Sequence, residues 1–483
     1  MNRFVTLVIL ACFLTIAAAT TTRVKVAIVG AGAAGIGAGY HFHEKGMDDF
    51  VIVEARDRVG GRLHSVQFFN HTVDLGGAWF QGTNGSLLWE LKQKYDLPCA
   101  YTDFVDMYTF YPNGSLIPDD VVNHYLTESD AMYSELEDVA AQMAEQVTPD
   151  KSLMGAIEDI GFLSSTMNET DYAVRNWMLW YYFGWAYGEQ LEGVGLRAMM
   201  DEGDPKADFA AEDCLNLAGF QNLLIKMSEP FRQKIRLSSP VKLVDYSNDI
   251  IKITTANGDV IEAEKVIMAI PDHLLVEGSI EFTPALPTMF PLLASFSGRA
   301  QYMKVFLHFP TYFWEALGDR EFFAYTHSTE GYFPSFQNLN LPKLLPGSNI
   351  LVATITGDEG KRLANLTDAQ IQAEIMVVLR AMFPGAPEPD GFLRNSWWED
   401  PYSMSVWAGT NINAYPSLRR AFLVPVQEKV YFAGEWAADK YNGYVHGAMY
   451  TGIEQAKAIN DCFQTSTSLS SASMLTPLLS LFF

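Results

Sequence analysis

Apolar residues along the chain alternate between short unbroken runs and longer stretches of helical spacing. Residues 24–29 form an apolar run of the kind found in a strand buried on both faces. Residues 33–45 are rich in alanine and glycine and predict a helix, and residues 50–53 predict a second strand. Together they make a βαβ unit. Residues 85–210 are expected to be mostly helical, with acidic and apolar positions at helical spacing over 130–146. The aromatic stretch 177–185 is expected to be core, with a cavity wall as the alternative. Strands are predicted at 251–255, 260–262 and 266–270, the first two joined by a turn at Asn257-Gly258. Further strands are predicted at 303–309, 350–355 and 430–432, and helices at 368–382 and 447–462.

This order implies an α/β fold in which a Rossmann-like domain is built from discontinuous segments, 20–84, 211–288 and 391–463. An α+β substrate-binding domain takes 85–210 and 289–390. The chemistry begins at Gly30-Ala31-Gly32-Ala33-Ala34-Gly35. Such a G-x-G-x-x-G is informative here because it follows a strand and opens a helix. Gly30 permits the tight turn, Gly32 lets backbone approach a pyrophosphate, and Gly35 lets helix and strand pack closely. The helix start offers free N–H groups to phosphate. Glu54 ends the second strand about 20 residues on, placed to accept hydrogen bonds from an adenosine ribose. Gly60-Gly61-Arg62 follows, with two glycines to run against a cofactor and an arginine to neutralise phosphate.

The ends of the chain bear on compartment. Arg3, an apolar run over 4–16 and Ala17-Ala18-Ala19 read as a cleaved secretory signal, residues 1–19. Five sequons, at Asn70, Asn84, Asn113, Asn168 and Asn365, fit export. Cys12 leaves with the signal, so Cys99, Cys214 and Cys462 allow at most one disulfide. Residues 464–473 are Ser/Thr-rich and 474–483 apolar. That order resembles a glycolipid-anchor signal, with a frayed or helical tail as the alternative; membrane association is expected only in the former case. A formal net charge of −24 disfavours nucleic acid as a partner and would steer cations inward. No metal site is expected, and the protein is expected to be a monomer.

The glycine motif, Glu54, Gly60-Gly61-Arg62, Asp74-Leu-Gly-Gly-Ala-Trp-Phe-Gln-Gly82, Phe432-Ala-Gly-Glu-Trp436 and Tyr441-Asn-Gly-Tyr-Val-His-Gly-Ala448 together resemble the flavin amine oxidase family, over about residues 24–462. The likeness is closest to its secreted plant-type polyamine oxidases. The resemblance implies FAD, bound non-covalently because no cysteine stands in the C-terminal motif. It implies that Gly30, Gly32, Ala33, Ala34, Gly35, Glu54, Ala55, Arg56, Gly61 and Arg62 hold the ADP half. Gly77, Ala78 and Trp79 would lie beside the flavin ring, Val241 against the adenine, Gly434 and Glu435 at the ribityl or phosphate region, and Tyr444 and Val445 at the ring. Trp398, beside Trp397, would pack near the flavin.

Lys304 interrupts an apolar strand. From burial alone it is either an edge lysine facing solvent or a lysine kept for a reason. The resemblance implies the second, a lysine that bridges through water to the flavin. It also implies that Trp407 and Tyr444 form aromatic walls that orient a small cationic amine. The reaction implied is hydride transfer from the carbon beside the amine nitrogen to the flavin, reduction of O2 to H2O2, and hydrolysis of the imine to aldehyde and amine. Plant polyamine oxidases carry a glutamate where this chain has Gln81, a neutral amide that does not pair with an ammonium as a carboxylate does. Glu189 is the candidate to compensate. The competing expectations are a secreted oxidase of another amine or an L-amino acid, and a flavoprotein that has lost catalysis.

Overall fold

A computed structural model describes residues 20–475 except 201–212, 291, 294–296, 413 and 415. The expected signal and residues 476–483 lie outside the described residues. Strand β1 (Thr21–Val29) runs between β2 (Phe50–Val53) and the strand Val260–Met268, all parallel. Val26, Ala27 and Ile28 are fully buried, as a parallel strand covered on both faces requires. Val241–Asp245 and Ile251–Thr255 extend the sheet antiparallel on one side, and Val430–Phe432 pairs with the far half of Val260–Met268. Glu281–Thr283 beside Val241–Asp245 and Ile235–Arg236 beside β2 complete eight strands.

Residues 260–262 and 266–270 were expected as two strands and form one, Val260–Met268. The polar stretch at Glu264-Lys265 falls where its neighbour changes. Its first half pairs with Ile251–Thr255 and its second with Val430–Phe432. Helix α1 (Ala33–Glu44) lies against the closing helix. Small residues set their approach, since a Cβ on Gly452 would lie 2.0 Å from the Ala34 carbonyl oxygen. The closing helix, expected over 447–462, is Val445–Leu475 and takes in the Ser/Thr-rich stretch.

A second sheet of six strands runs in the order Gly391–Arg394, Tyr302–His308, Ile350–Thr356, Ser335–Asn338, Phe322–Tyr325, Met107–Phe110. The stretch 85–210 is mostly helical, as expected, with the strands Cys99–Thr102 and Met107–Phe110 in addition. Gly391–Arg394 pairs here, not in the first sheet. A small sheet of Trp79–Gln81, Asp213–Asn216 and Cys99–Thr102 bridges the two, tied by a Cys99–Cys214 disulfide. The aromatic stretch divides. Glu169–Leu179 is α-helical and Trp180–Gly184 is a π-helical turn, a feature frequent at functional sites. Trp177, Trp180 and Phe183 are core, whereas Tyr181, Tyr182 and Trp185 reach a cavity.

Candidate active site

A cavity of about 710 Å³ opens at the carboxyl ends of β1, β2, Val260–Met268 and Val430–Phe432, and runs on to the six-stranded sheet. That is where open parallel sheets bind their ligands. Gly30, at φ +105°, turns the chain so tightly that a Cβ would lie 2.2 Å from the Ala269 carbonyl oxygen. Gly32 has nothing within 4 Å of where a Cβ would stand, so its backbone is the cavity floor. Ala33 and Ala34 line the cavity at the start of α1. No side chain caps that start and no acid lies in its first turn, so its N–H groups and dipole face the cavity. Gly35 is behind the lining, against the Gly30 carbonyl, as close packing of helix on strand requires.

Glu54 is buried and held by backbone: Ala31 N–H donates to one carboxylate oxygen at 2.7 Å and Arg56 N–H to the other at 2.9 Å. Each oxygen keeps a lone pair for a further donor. Ala55 and Arg56 line the cavity, with the Arg56 guanidinium fixed by Asp400 at 2.7 Å and Ser403 at 2.8 Å. Gly61, at φ +58°, lays its loop on the Gly32 turn. Arg62 lines the cavity and donates to Val406 O and to Glu435, each at 3.0 Å. Glu435 also accepts from Ala408 N–H and Gly443 N–H; burial pushes its carboxyl up while Arg62 pulls it back. Gly77, Ala78, Trp79, Val241, Gly434, Tyr444 and Val445 complete this end. The set fits an adenine dinucleotide: a side-chain-free floor, an uncapped helix start for the pyrophosphate and an oriented buried acid for the ribose.

Lys304 lies at the junction of the two ends. Its strand is flanked on both sides, by Ile350–Thr356 and Gly391–Arg394, which overturns the edge alternative. The Nζ donates to the carbonyls of Gly76 at 2.7 Å and Asp74 at 3.3 Å, and stands 5.0 Å from the centre of the Trp79 ring. Burial lowers the amine to about 8, against a smaller opposing pull from Asp74. Asp74 is itself raised to about 6 by burial, while accepting from Ser65 Oγ and Phe220 N–H. Trp397 donates to the Leu75 carbonyl at 2.9 Å and so steadies the same loop from behind.

Beyond Lys304 the walls are aromatic. Trp407 donates to the Tyr187 carbonyl at 3.1 Å and packs 5.5 Å from Tyr302, whose hydroxyl accepts from Trp185 at 2.8 Å. Phe104, Tyr181 and Tyr182 continue the wall. Gln81 lines it and pairs across the strand with Asp213. Asp213 is a buried carboxylate on the cavity surface that sequence reasoning missed; only the pairing of two distant strands places it there.

Two expected residues lie elsewhere. The Glu189 carboxylate turns away from the cavity lining into the space left by Gly298 and Gly409, where burial raises it to about 7. Its place is explained by those glycines: a Cβ on Gly409 would lie 1.4 Å from it. Trp398 lies outside the cavity with two cations over its ring, Arg299 at 4.1 Å and Lys361 at 5.5 Å from the ring centre.

The family profile described as flavin containing amine oxidoreductase matches residues 33–460. The chain belongs to that family. Among its relatives, "Polyamine oxidase 6" of Oryza sativa subsp. japonica is 31% identical over 444 residues, and "Polyamine oxidase 1" of Zea mays 29% over 449. Each alignment spans 87% of this chain and 87% of the relative. A solved putrescine oxidase with putrescine bound superposes with a TM-score of 0.74 at 19% identity, over 91% of this chain and all of that one. An amine oxidoreductase of this family implies FAD, and the family's amine substrate and dioxygen set the chemistry expected of the cavity.

Proposed function

We propose that this amine oxidoreductase is an exported oxidase of amines that carry a second cationic group, of the polyamine type, with FAD held non-covalently at the glycine-rich end. Gly30, Gly32 and the start of α1 would take the pyrophosphate, Glu54 the ribose, and Val445 N–H the ring end. Bound there, the flavin supplies a hydride acceptor for the carbon beside the amine nitrogen and passes the electrons to dioxygen, giving hydrogen peroxide.

The protein's own part is binding, orientation and proton handling. Trp407, Tyr444 and Tyr302 enclose an apolar amine chain and exclude water from its reacting carbon. Lys304 has two N–H directions taken by the Asp74 and Gly76 carbonyls. In its neutral form the lone pair is therefore left to accept a proton, and in its charged form the third N–H is left to donate one. An amine with a value of about 8 serves both roles near neutrality.

The observation that carries the substrate reading is Asp213. Among the described residues it is the carboxylate of the aromatic end, set beside Tyr181, Tyr182 and Trp185. Ring faces and a buried carboxylate together favour an ammonium. The charge absent from position 81 is present one strand over. Export is supported by the exposure of all five sequon asparagines and by the Cys99–Cys214 disulfide. The test is peroxide release by the FAD-loaded protein with spermine, spermidine, putrescine, a monoamine and a panel of L-amino acids. Turnover of the polyamines or the diamine is expected; turnover of L-amino acids alone would overturn the substrate class.

A further inference from the structure

A second, smaller chamber of about 40 Å³ lies against Lys304. It sits between the face of the six-stranded sheet that carries Lys304, Phe306, Val352 and Thr354 and the neighbouring Asp213–Asn216 strand. Lys304, Ala78 and Trp79 line both this chamber and the large cavity, so these residues are the partition between them. Its polar lining includes Asn216, Thr354 and Gln337, and also Asp74, the carboxylate whose charge acts on Lys304 and is common to wild type and variants.

Asn216 is 5% exposed. Its Oδ1 accepts from Ala218 N–H at 2.9 Å, which fixes the orientation of the amide. The Nδ2 is thereby committed as a donor, and among the described residues no acceptor meets it. A buried donor left in that condition carries the full cost of its desolvation, which a water would offset. A polar cavity holds a water once it offers about 10–15 Å³ of such volume and two or more polar partners. This chamber has room for about three.

We propose that the chamber is a buried-water site, anchored by Asn216 Nδ2 and shared with Lys304, through which Lys304 exchanges protons while the large cavity is closed by cofactor and substrate. The inference rests on the reading of Lys304 as the proton-handling group. Oxidation of an amine releases protons and reduction of dioxygen to peroxide consumes two, so the group must be recharged and discharged within each turnover. The occupant is water and not a stored dioxygen, because an apolar guest would leave the Asn216 donor unmet.

Two arms test it. The first is a high-resolution crystal structure of the FAD-loaded protein, in which density for water within hydrogen-bond reach of Asn216 Nδ2 is expected. This arm needs no amine turnover, so it stands even if the substrate reading fails. The second is the pH profile of turnover at saturating amine for Asn216→Leu and Asn216→Asp. The leucine fills the chamber and strips a solvating water from the ammonium, so the Lys304 midpoint moves down by about half a unit or more. The aspartate keeps the acceptor for Ala218 N–H and adds negative charge, so the midpoint moves up. Opposite shifts are not the signature of a merely structural residue. If leucine does not fold, the aspartate variant and the crystal carry the test. A dry chamber in the crystal, or midpoints unchanged from wild type in the folded variants, would overturn the proposal.

Discussion

Replacement of Lys304 by methionine gives a prediction whose size follows from the site itself. Burial holds the Lys304 amine at about 8, against an ordinary 10.5 in the unfolded chain. At 1.36 kcal/mol per pKa unit, the difference is about 3 kcal/mol. The folded value is the lower one, so the sign is a burden on the folded protein. Below about pH 8 both states carry the proton and the burden is complete. Between about 8 and 10.5 the folded state sheds the proton first, unfolding takes one up, and stability rises with pH. Methionine carries no such burden at any pH. The stability of Lys304→Met relative to wild type should therefore fall by about 3 kcal/mol as pH rises from roughly 7.5 to 10.5.

The offset at neutral pH is a separate quantity, because methionine leaves the Asp74 and Gly76 carbonyls without their donor. Asp74 also loses the cation that now holds its carboxyl down, but it is ionised throughout the upper pH window in wild type. Any further rise of Asp74 in the variant steepens the same fall and does not reverse its sign. The assay is denaturant unfolding of both proteins across that window, followed by tryptophan fluorescence and compared as a difference, so that groups common to both cancel. A difference that stays level would refute the claim that Lys304 is desolvated, and with it the reason for treating it as a proton carrier near neutrality.

Other consequences are simpler. Asp213→Asn should raise KM for spermine, spermidine and putrescine about 10-fold while leaving a monoamine nearly unchanged, the loss of one charge-assisted contact; equal losses on all substrates in steady-state assays would remove Asp213 as the ammonium anchor. Gly30→Ala should abolish FAD retention, because the methyl would lie 2.2 Å from the Ala269 carbonyl oxygen at a φ of +105°; flavin absorbance that co-elutes at wild-type ratio contradicts it. Cys214→Ser opens a disulfide that spans 115 residues of sequence. Loop entropy puts the cost at about 4–5 kcal/mol, read as a thermal midpoint lowered to that of the reduced wild-type protein.

The cofactor half of the site was legible because backbone builds it. A tight turn, a floor and a loop laid on that floor each demand glycine, and the helix start needs no side chain at all, so Gly30, Gly32 and Gly61 announce themselves in order along a few dozen residues. Lys304 was legible for a related reason, as a charge inside an apolar strand. The substrate half is built from side chains that strand pairing collects from far apart. Gln81, Thr102 and Asp213 stand side by side only because three short strands share a sheet. Glu189 misled for the same reason. Its helical neighbourhood suggested the cavity, but the glycines that admit its carboxylate elsewhere, Gly298 and Gly409, come from segments with no sequence relation to it.

Lys304 is also where the two halves are joined. Its strand belongs to the six-stranded sheet, yet both its acceptors are carbonyls of the Asp74–Gly76 loop, which leads directly into the Gly77-Ala78-Trp79 lining of the large cavity. Asn395 reinforces the joint. It follows the Gly391–Arg394 strand and donates to the Leu75 and Tyr302 carbonyls, each at 3.0 Å. A substrate that displaces Tyr302 or Trp407 therefore acts on the same hydrogen-bonded layer that sets the floor beside the flavin. On the proposed function, binding at the aromatic end and proton handling at Lys304 would be coupled through the carbonyls that Lys304 and Asn395 share in this layer. On this argument, substitutions that loosen the Asp74–Gly76 loop should disturb the pH profile of turnover before they disturb amine affinity.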